Sequence, residues 1–168
     1  MSDQLARLIG AAGGKPETAT TAAATAALHV GLRTGTRWFA LPAGAVAEVV
    51  MLPDITRVPA APTHVLGVAM IRARLVPIVD LDLLIAGRRT PQVERGRALV
   101  VRGDDLEVGL IGTETRGLIA LAGGADRDGD APAERPPWVA REERAGAELY
   151  AVIDVGELLR VTLRGGGG

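Results

Sequence analysis

Between residues 26 and 163 the apolar residues fall in short runs separated by Gly, Pro and Asp, a pattern of strands joined by tight turns. Leu28, Val30 and Leu32 alternate with His29, Gly31 and Arg33, which predicts a half-buried strand. Thr34-Gly35-Thr36 is a hairpin turn signal, Arg37 to Leu41 is the returning strand, and Pro42-Ala43-Gly44 ends it. Val46, Val49 and Val50 fall at i, i+3 and i+4, so Ala45 to Met51 reads as a short helix with one apolar face, stopped by Leu52-Pro53-Asp54. Ile55 to Val58 is a short strand, and Thr63 to Leu66 is one helical turn. Gly67 to Ile71 and Leu75 to Val79 form a hairpin around Arg72-Ala73-Arg74. Pro77 has no N–H to donate, which places its strand at an edge or a bulge. Asp80 is an N-cap for a helix from Leu81 to Ala86, closed by Gly87.

Residues 88–96 are polar, contain Pro91, and read as a link. Beyond them, Arg97 to Arg102 and Leu106 to Ile111 are strands around Gly103-Asp104-Asp105, and Gly117 to Ala122 is another. Residues 123–146 read as one long loop, in which Trp138 either docks the loop or belongs to a contact surface. Leu149 to Ile153 is a core strand, Asp154 caps a helix through Leu159, and Val161 to Leu163 reads as a terminal strand. Val79-Asp80-Leu81 with Leu84 is echoed by Ile153-Asp154-Val155 with Leu158. The echo supports two similar small β units, 26–87 and 97–163, in an all-β chain of barrels with short helices. Residues 1–25, with their Ala/Thr tract, have little to bury and read as a flexible lead-in, as do residues 164–168 as a tail.

Composition narrows the function. The chain has 168 residues, enough for one domain or two very small ones sharing a core; 48% are hydrophobic but only 2% aromatic, so Val, Leu, Ile and Ala fill the core. A net charge of −1 argues against a nucleic-acid binder. There is no cysteine, hence no disulfide, thiolate nucleophile or thiolate metal site. No signal peptide and no membrane-spanning run is read from the sequence, and the expectation is a soluble cytoplasmic protein.

The stretch Gly67-Val68 through Val76-Pro77-Ile78-Val79-Asp80-Leu81 resembles the CheW-like domain, the adaptor fold of bacterial chemosensory arrays. Phe39-Ala40-Leu41-Pro42, Val46-Ala47-Glu48-Val49, Val58-Pro59, Val108-Gly109-Leu110-Ile111, Gly117 and Val152-Ile153-Asp154 extend the resemblance from about residue 26 to residue 163. Two places depart from the family pattern: Met70-Ile71-Arg72-Ala73 stands where Asn-Leu-Arg-Gly is frequent, and Gly112-Thr113-Glu114-Thr115 where Val-Asp-x-Val is. The resemblance implies two pseudo-symmetric five-stranded SH3-like β-barrels. It also implies a non-enzymatic adaptor that couples the cytoplasmic tip of a chemoreceptor to the regulatory domain of a CheA-type histidine kinase. The receptor helix would lie in an apolar groove between the barrels. A pilus-motility or other chemosensory system fits the same residues.

The resemblance carries four protein-binding candidates. Arg72 is the cation held at the groove, against the plain reading of a solvated hairpin arginine. Glu48 is expected to pair with Arg72 and orient its guanidinium. Val46 is core or groove wall, and Gly67 marks a bend or close backbone approach. Arg74 reads as a solvated face. No cofactor or metal is expected: His29 and His64 lack metal-pair spacing, and no glycine cluster follows a strand and opens a helix as a phosphate loop does. The rival class is a small metal-dependent hydrolase using Asp80 and Asp82 with Asp154. Two of those aspartates read more simply as N-caps. A small-ligand-binding barrel is a third reading, disfavoured by the scarcity of aromatics.

Overall fold

The computed structural model describes residues 26–35, 37–91, 96–123 and 135–163. The expectations for the lead-in 1–25, the tail 164–168, Thr36, and parts of the link and long loop lie outside the described residues. β1 (Ala27–Thr34) and β2 (Arg37–Pro42) form the first hairpin, with Gly35 at φ 52 in its turn. A 3₁₀ turn over Ala43–Ala45 leads to β3 (Val46–Met51), followed by β4 (Ile55–Thr56), β5 (Val65–Ile71) and β6 (Arg74–Asp80). Helix α1 (Leu81–Ala86) closes the first half. The second half is β7 (Arg97–Arg102), β8 (Glu107–Gly112), β9 (Glu114–Leu121), β10 (Val139–Ala145), β11 (Glu148–Ile153) and helix α2 (Val155–Leu163).

These strands make two sheets, ordered β10-β11-β2-β1-β9 and β3-β7-β8-β6-β5-β4. Pairing is antiparallel except for β11 with β2 and β6 with β8. Neither 26–87 nor 97–163 builds a sheet alone. β3 leaves the first hairpin to pair with β7, and β9 leaves the second to pair with β1. Among the described residues strand pairing closes neither sheet on itself, and the chain is mostly β with two short helices.

The alternation of side chains along the central strands explains why they are apolar on both faces. In β2, Phe39 and Leu41 join a central cluster with Leu99, Leu110 and the helix residues Leu81 and Leu158, while Trp38 and Ala40 turn to a second cluster with Tyr150 and Val152. In the other sheet, Val79 and Leu99 face the centre, whereas Ile78, Val100 and Ile111 face a third cluster with Ile71 and Val76. Each fully buried Leu or Ile contributes roughly 1.5–3 kcal/mol over exposure. The crossing from β8 to β9 needs a residue without a side chain. A Cβ on Gly112 would sit 2.7 Å from the Arg33 carbonyl oxygen and 2.9 Å from Leu32 Cγ. Thr113 N–H donates to that same carbonyl at 2.9 Å.

Several local expectations are corrected. Residues 45–51 are not a helix: Val46–Met51 is a strand whose inward side chains are Val46, Glu48 and Val50, paired with β7 across a bulge at Ala47. Thr63 and His64 form a turn and Leu66 is already strand. β9 begins at Glu114, ahead of the predicted Gly117. The predicted long loop contains strand β10, and Trp138 before it is buried against Phe39, with ring centroids 6.0 Å apart. Helix α2 runs to Leu163, because Val155, Leu158, Leu159 and Thr162 bury one helical stripe. At the start of β1 the predicted phase is inverted, with Leu28 exposed and His29 buried, before a bulge at Val30/Gly31 resets it. β6 is not an edge strand. Pro77 pairs with Val68 of β5 and lies just before the segment Ile78–Asp80 that pairs with β8.

Candidate functional site

The β5–β6 hairpin turns on two residues, Arg72 at φ 47 and Ala73 at φ 62. Two consecutive left-handed residues match the twist of the flanking strands, and they bring Ile71 opposite Arg74. The turn ejects the Arg72 side chain, which is 76% exposed.

Glu48 meets it from β3. Strand alternation directs Glu48 inward, and its side chain is only 13% exposed. Arg72 Nε donates to Glu48 Oε2 at 2.6 Å. Arg74 Nη2 reaches Glu48 Oε1 at 3.4 Å, and the other end of Arg74 pairs with Glu107 on β8. Glu107, its side chain 16% exposed, also accepts from Arg102 Nε at 2.9 Å and pairs with its Nη2 at 2.8 Å. Arg102 and Glu107 are cross-strand partners flanking the β7–β8 turn. The result is a ladder of alternating sign: Arg72, Glu48, Arg74, Glu107, Arg102. The hydrogen bond that Arg72 donates to Glu48, and then the Glu48 charge, raise the Arg72 pKa above the ordinary arginine value. The hydrogen bond from Arg102 leads in holding the Glu107 carboxyl below the usual carboxylate range, with Arg74 adding to it.

Beside this ladder lies an open hollow of about 320 Å³, lined by Glu48, Val50, Met51, Pro53, Met70, Ile71 and Arg72. Met51 and Met70 are both well exposed. Unbranched, polarisable methionines adapt to varied apolar surfaces, so the site combines a fixed cation with a deformable apolar wall.

The structure thus brings Arg72 and Glu48 together, as expected. Val46 is half-buried and packs on the central cluster. Gly67 is buried at φ 147, and a Cβ there would fall on the Thr56 carbonyl, 2.8 Å from its carbon. That is a backbone role at the β4–β5 contact. Arg74, expected as a solvated face, is a linking member of the ladder. Arg102 and Glu107 were not singled out in the sequence, although a charge pair flanking a predicted turn is a readable signal.

The aspartates serve the fold. Asp80 is buried and accepts from Asp82 N at 3.0 Å, Leu83 N at 3.3 Å, Thr90 N at 2.9 Å and Thr90 Oγ1 at 2.6 Å. It caps α1 and pins the start of the link. Asp82 accepts from Thr34 Oγ1 at 3.0 Å, tying α1 to the β1–β2 hairpin. Asp154 caps α2 through Glu157 N at 2.9 Å. Among the described residues no three His, Asp or Glu gather as metal ligands. His64 Nε2 lies 3.1 Å from the Thr162 carbonyl and fastens the loop before β5 to α2. Among the described residues no helix is long and apolar enough to cross a membrane.

Residues 29–162 match the CheW-like domain family. Over 89 residues the chain is 40% identical to protein PilI of Pseudomonas aeruginosa, covering 53% of this chain and 50% of that protein. Over 81 residues it is 33% identical to the chemotaxis protein CheW of Helicobacter pylori, covering 48% and 49%. The chain spans about half the length of these curated relatives. The scaffolding protein TtCheW from Thermoanaerobacter tengcongensis has a similar fold, with a TM-score of 0.68 at 18% identity over 77% of this chain and 90% of that one.

Proposed function

The chain belongs to the CheW-like domain family, and from that premise we propose that it is a non-enzymatic adaptor coupling a chemoreceptor tip to the regulatory domain of a CheA-type histidine kinase. The observation that carries this reading is Arg72. One edge of its guanidinium is fixed by Glu48, and the remainder is exposed beside an open hollow walled in part by Met51 and Met70. A guanidinium held by Nε keeps both terminal nitrogens for a carboxylate on a partner. The adaptor would bias the kinase by differential contact with its states, each contact modest and the array supplying avidity.

In this reading each sheet is the wall of a small SH3-like barrel, the receptor helix settles in an apolar groove between them, and the protein works in the cytoplasm at receptor arrays. The carboxylates of Asp80 and Asp154, which a hydrolase reading would need, are engaged as caps, which supports the non-enzymatic reading. The second reading, service in a pilus-motility or other chemosensory system, draws on the likeness to protein PilI.

Sedimentation with a CheA-type regulatory domain and with a receptor-tip fragment tests the proposal. The expected result is a complex with each, weakened at least about tenfold by Arg72→Ala, a loss near 1.4 kcal/mol. Absence of any complex with the unaltered chain overturns it.

A further inference from the structure

We infer that Arg74, Glu107 and Arg102 are positioning residues for Arg72, forming a charge relay that fixes where the exposed guanidinium points. The inference rests on the reading of Arg72 as a partner contact. Its ground is the geometry of the ladder. Glu48 has two oxygens, and Arg72 takes Oε2 while Arg74 stands 3.4 Å from Oε1. Arg74 stays at that distance because Glu107 holds its other end. Glu107 in turn is gripped twice by Arg102, through Nε and Nη2.

The strands show why the relay matters at this place. Glu48 comes from β3, Arg102 from β7, Glu107 from β8 and Arg74 from β6, and these strands are consecutive in the sheet. β3 and the β5–β6 hairpin share no strand pairing. The ion pairs from Glu48 to Arg72 and Arg74 therefore join one edge of the sheet to the hairpin tip. The relay continues that link through Arg74 to Glu107 and Arg102, so one chain of ion pairs touches all four strands. With the Glu107 charge removed, Arg74 is free to close on Glu48 with both terminal nitrogens, the preferred fork geometry. Arg72 then loses its anchor and its exposed side chain samples many rotamers. A partner must re-order it on binding, which weakens the complex.

The test has two arms. In the free protein, ¹⁵N-edited NMR of arginine side chains is expected to show a slowly exchanging Arg72 Nε–H. Glu107→Gln should abolish that protection and Glu107→Asp should retain it. In the second arm, Glu107→Gln should weaken kinase-domain binding about fivefold, with no further loss in an Arg72→Ala background. Arg102→Gln, which frees Glu107 without removing its charge, should give a smaller change in both arms and serves if Glu107→Gln does not fold. An Arg72 Nε–H unchanged by Glu107→Gln, or equal losses with and without Arg72, overturns the inference. If the unaltered chain binds no kinase domain, the functional reading fails, while the NMR arm still decides the relay.

Discussion

Glu48 and Arg116 occupy equivalent positions in the two sheets and carry opposite charges. Glu48 pairs with Val100, Val100 with Gly109, and Gly109 with Ile78, two residues before the capping Asp80. Arg116 pairs with Gly31, Gly31 with Ala40, and Ala40 with Val152, two residues before the capping Asp154. The hairpins match as well. Arg74 follows the Arg72-Ala73 turn, and Glu148 follows the Gly146-Ala147 turn. The same bridge therefore occurs twice with its sign reversed: Glu48 with Arg74, and Arg116 with Glu148 at 3.9 Å. Only the first tip adds an exposed arginine in the turn. In the second, Arg116 lies 4.3 Å over the Trp38 ring and donates to Tyr150 Oη at 2.7 Å.

Arg116→Ala removes that cation–π contact and leaves the buried Tyr150 hydroxyl without its donor. The expected loss is about 1–2 kcal/mol by urea unfolding, with a red shift of tryptophan emission as Trp38 is uncovered. Binding to a kinase domain should stay unchanged, because the first tip is untouched.

Gly67→Ala is expected to be severe. The backbone stands at φ 147, and the added Cβ would strike the Thr56 carbonyl and approach Ile55 Cγ2 at 2.9 Å. A loss of about 3 kcal/mol or more should appear as a lower melting temperature. Any loss of partner binding should be recovered by cooling below the new melting transition.

Asp80→Asn and Asp154→Asn separate a buried node from a simple cap. Asp80 accepts four hydrogen bonds, two of them from Thr90, and an amide nitrogen would face a donor. The expected cost is about 2–4 kcal/mol in denaturant unfolding. Asp154 receives the Glu157 N–H at an exposed helix start, where Asn caps as well as Asp, so its change should stay within about 0.5 kcal/mol.

Ala73→Gly should stabilise the fold. Ala73 holds φ 62, a left-handed conformation that costs a residue with Cβ about 1 kcal/mol and glycine little. Melting temperature should rise. Partner affinity should hold if the turn keeps Arg72 in place.

The sign of the pH dependence follows from Glu107. Its folded pKa is lowered, first by the Arg102 hydrogen bond and then by Arg74. The pairing therefore contributes above the unfolded carboxylate value of about 4.3 and is lost as pH falls through the lower folded value. Urea midpoints of the unaltered chain should decline over that acid window, and Glu107→Gln should flatten the decline. Arg72, its pKa raised, stays charged throughout neutral and mildly alkaline pH.

Much of the fold was legible because the central strands are doubly buried and their turns carry Gly and Asp. The hairpin tip was legible too, as was the pairing of Arg72 with Glu48. What escaped was hidden by long-range effects. Glu48 takes an inward strand position because distant arginines neutralise it, and Val49 and Met51 face outward. The local spacing of Val46, Val49 and Val50 therefore imitates a helix. β10 reads as loop because an edge strand is allowed charges; Arg141 and Glu143 bridge at 3.1 Å, and Glu142 pairs with Arg37. The stripe Val155, Leu158, Leu159, Thr162 was present at helical spacing, and β-branched Val161 and Thr162 obscured it.

Because each sheet interleaves strands from both sides of the link, the molecule has no seam at which it can be cut into independent modules. A chain severed within the link would yield two fragments, the first without β7 and β8 at the centre of one sheet and the second without β1 and β2 at the centre of the other. Such fragments should stay unfolded apart and regain structure on mixing, as interlocked halves do.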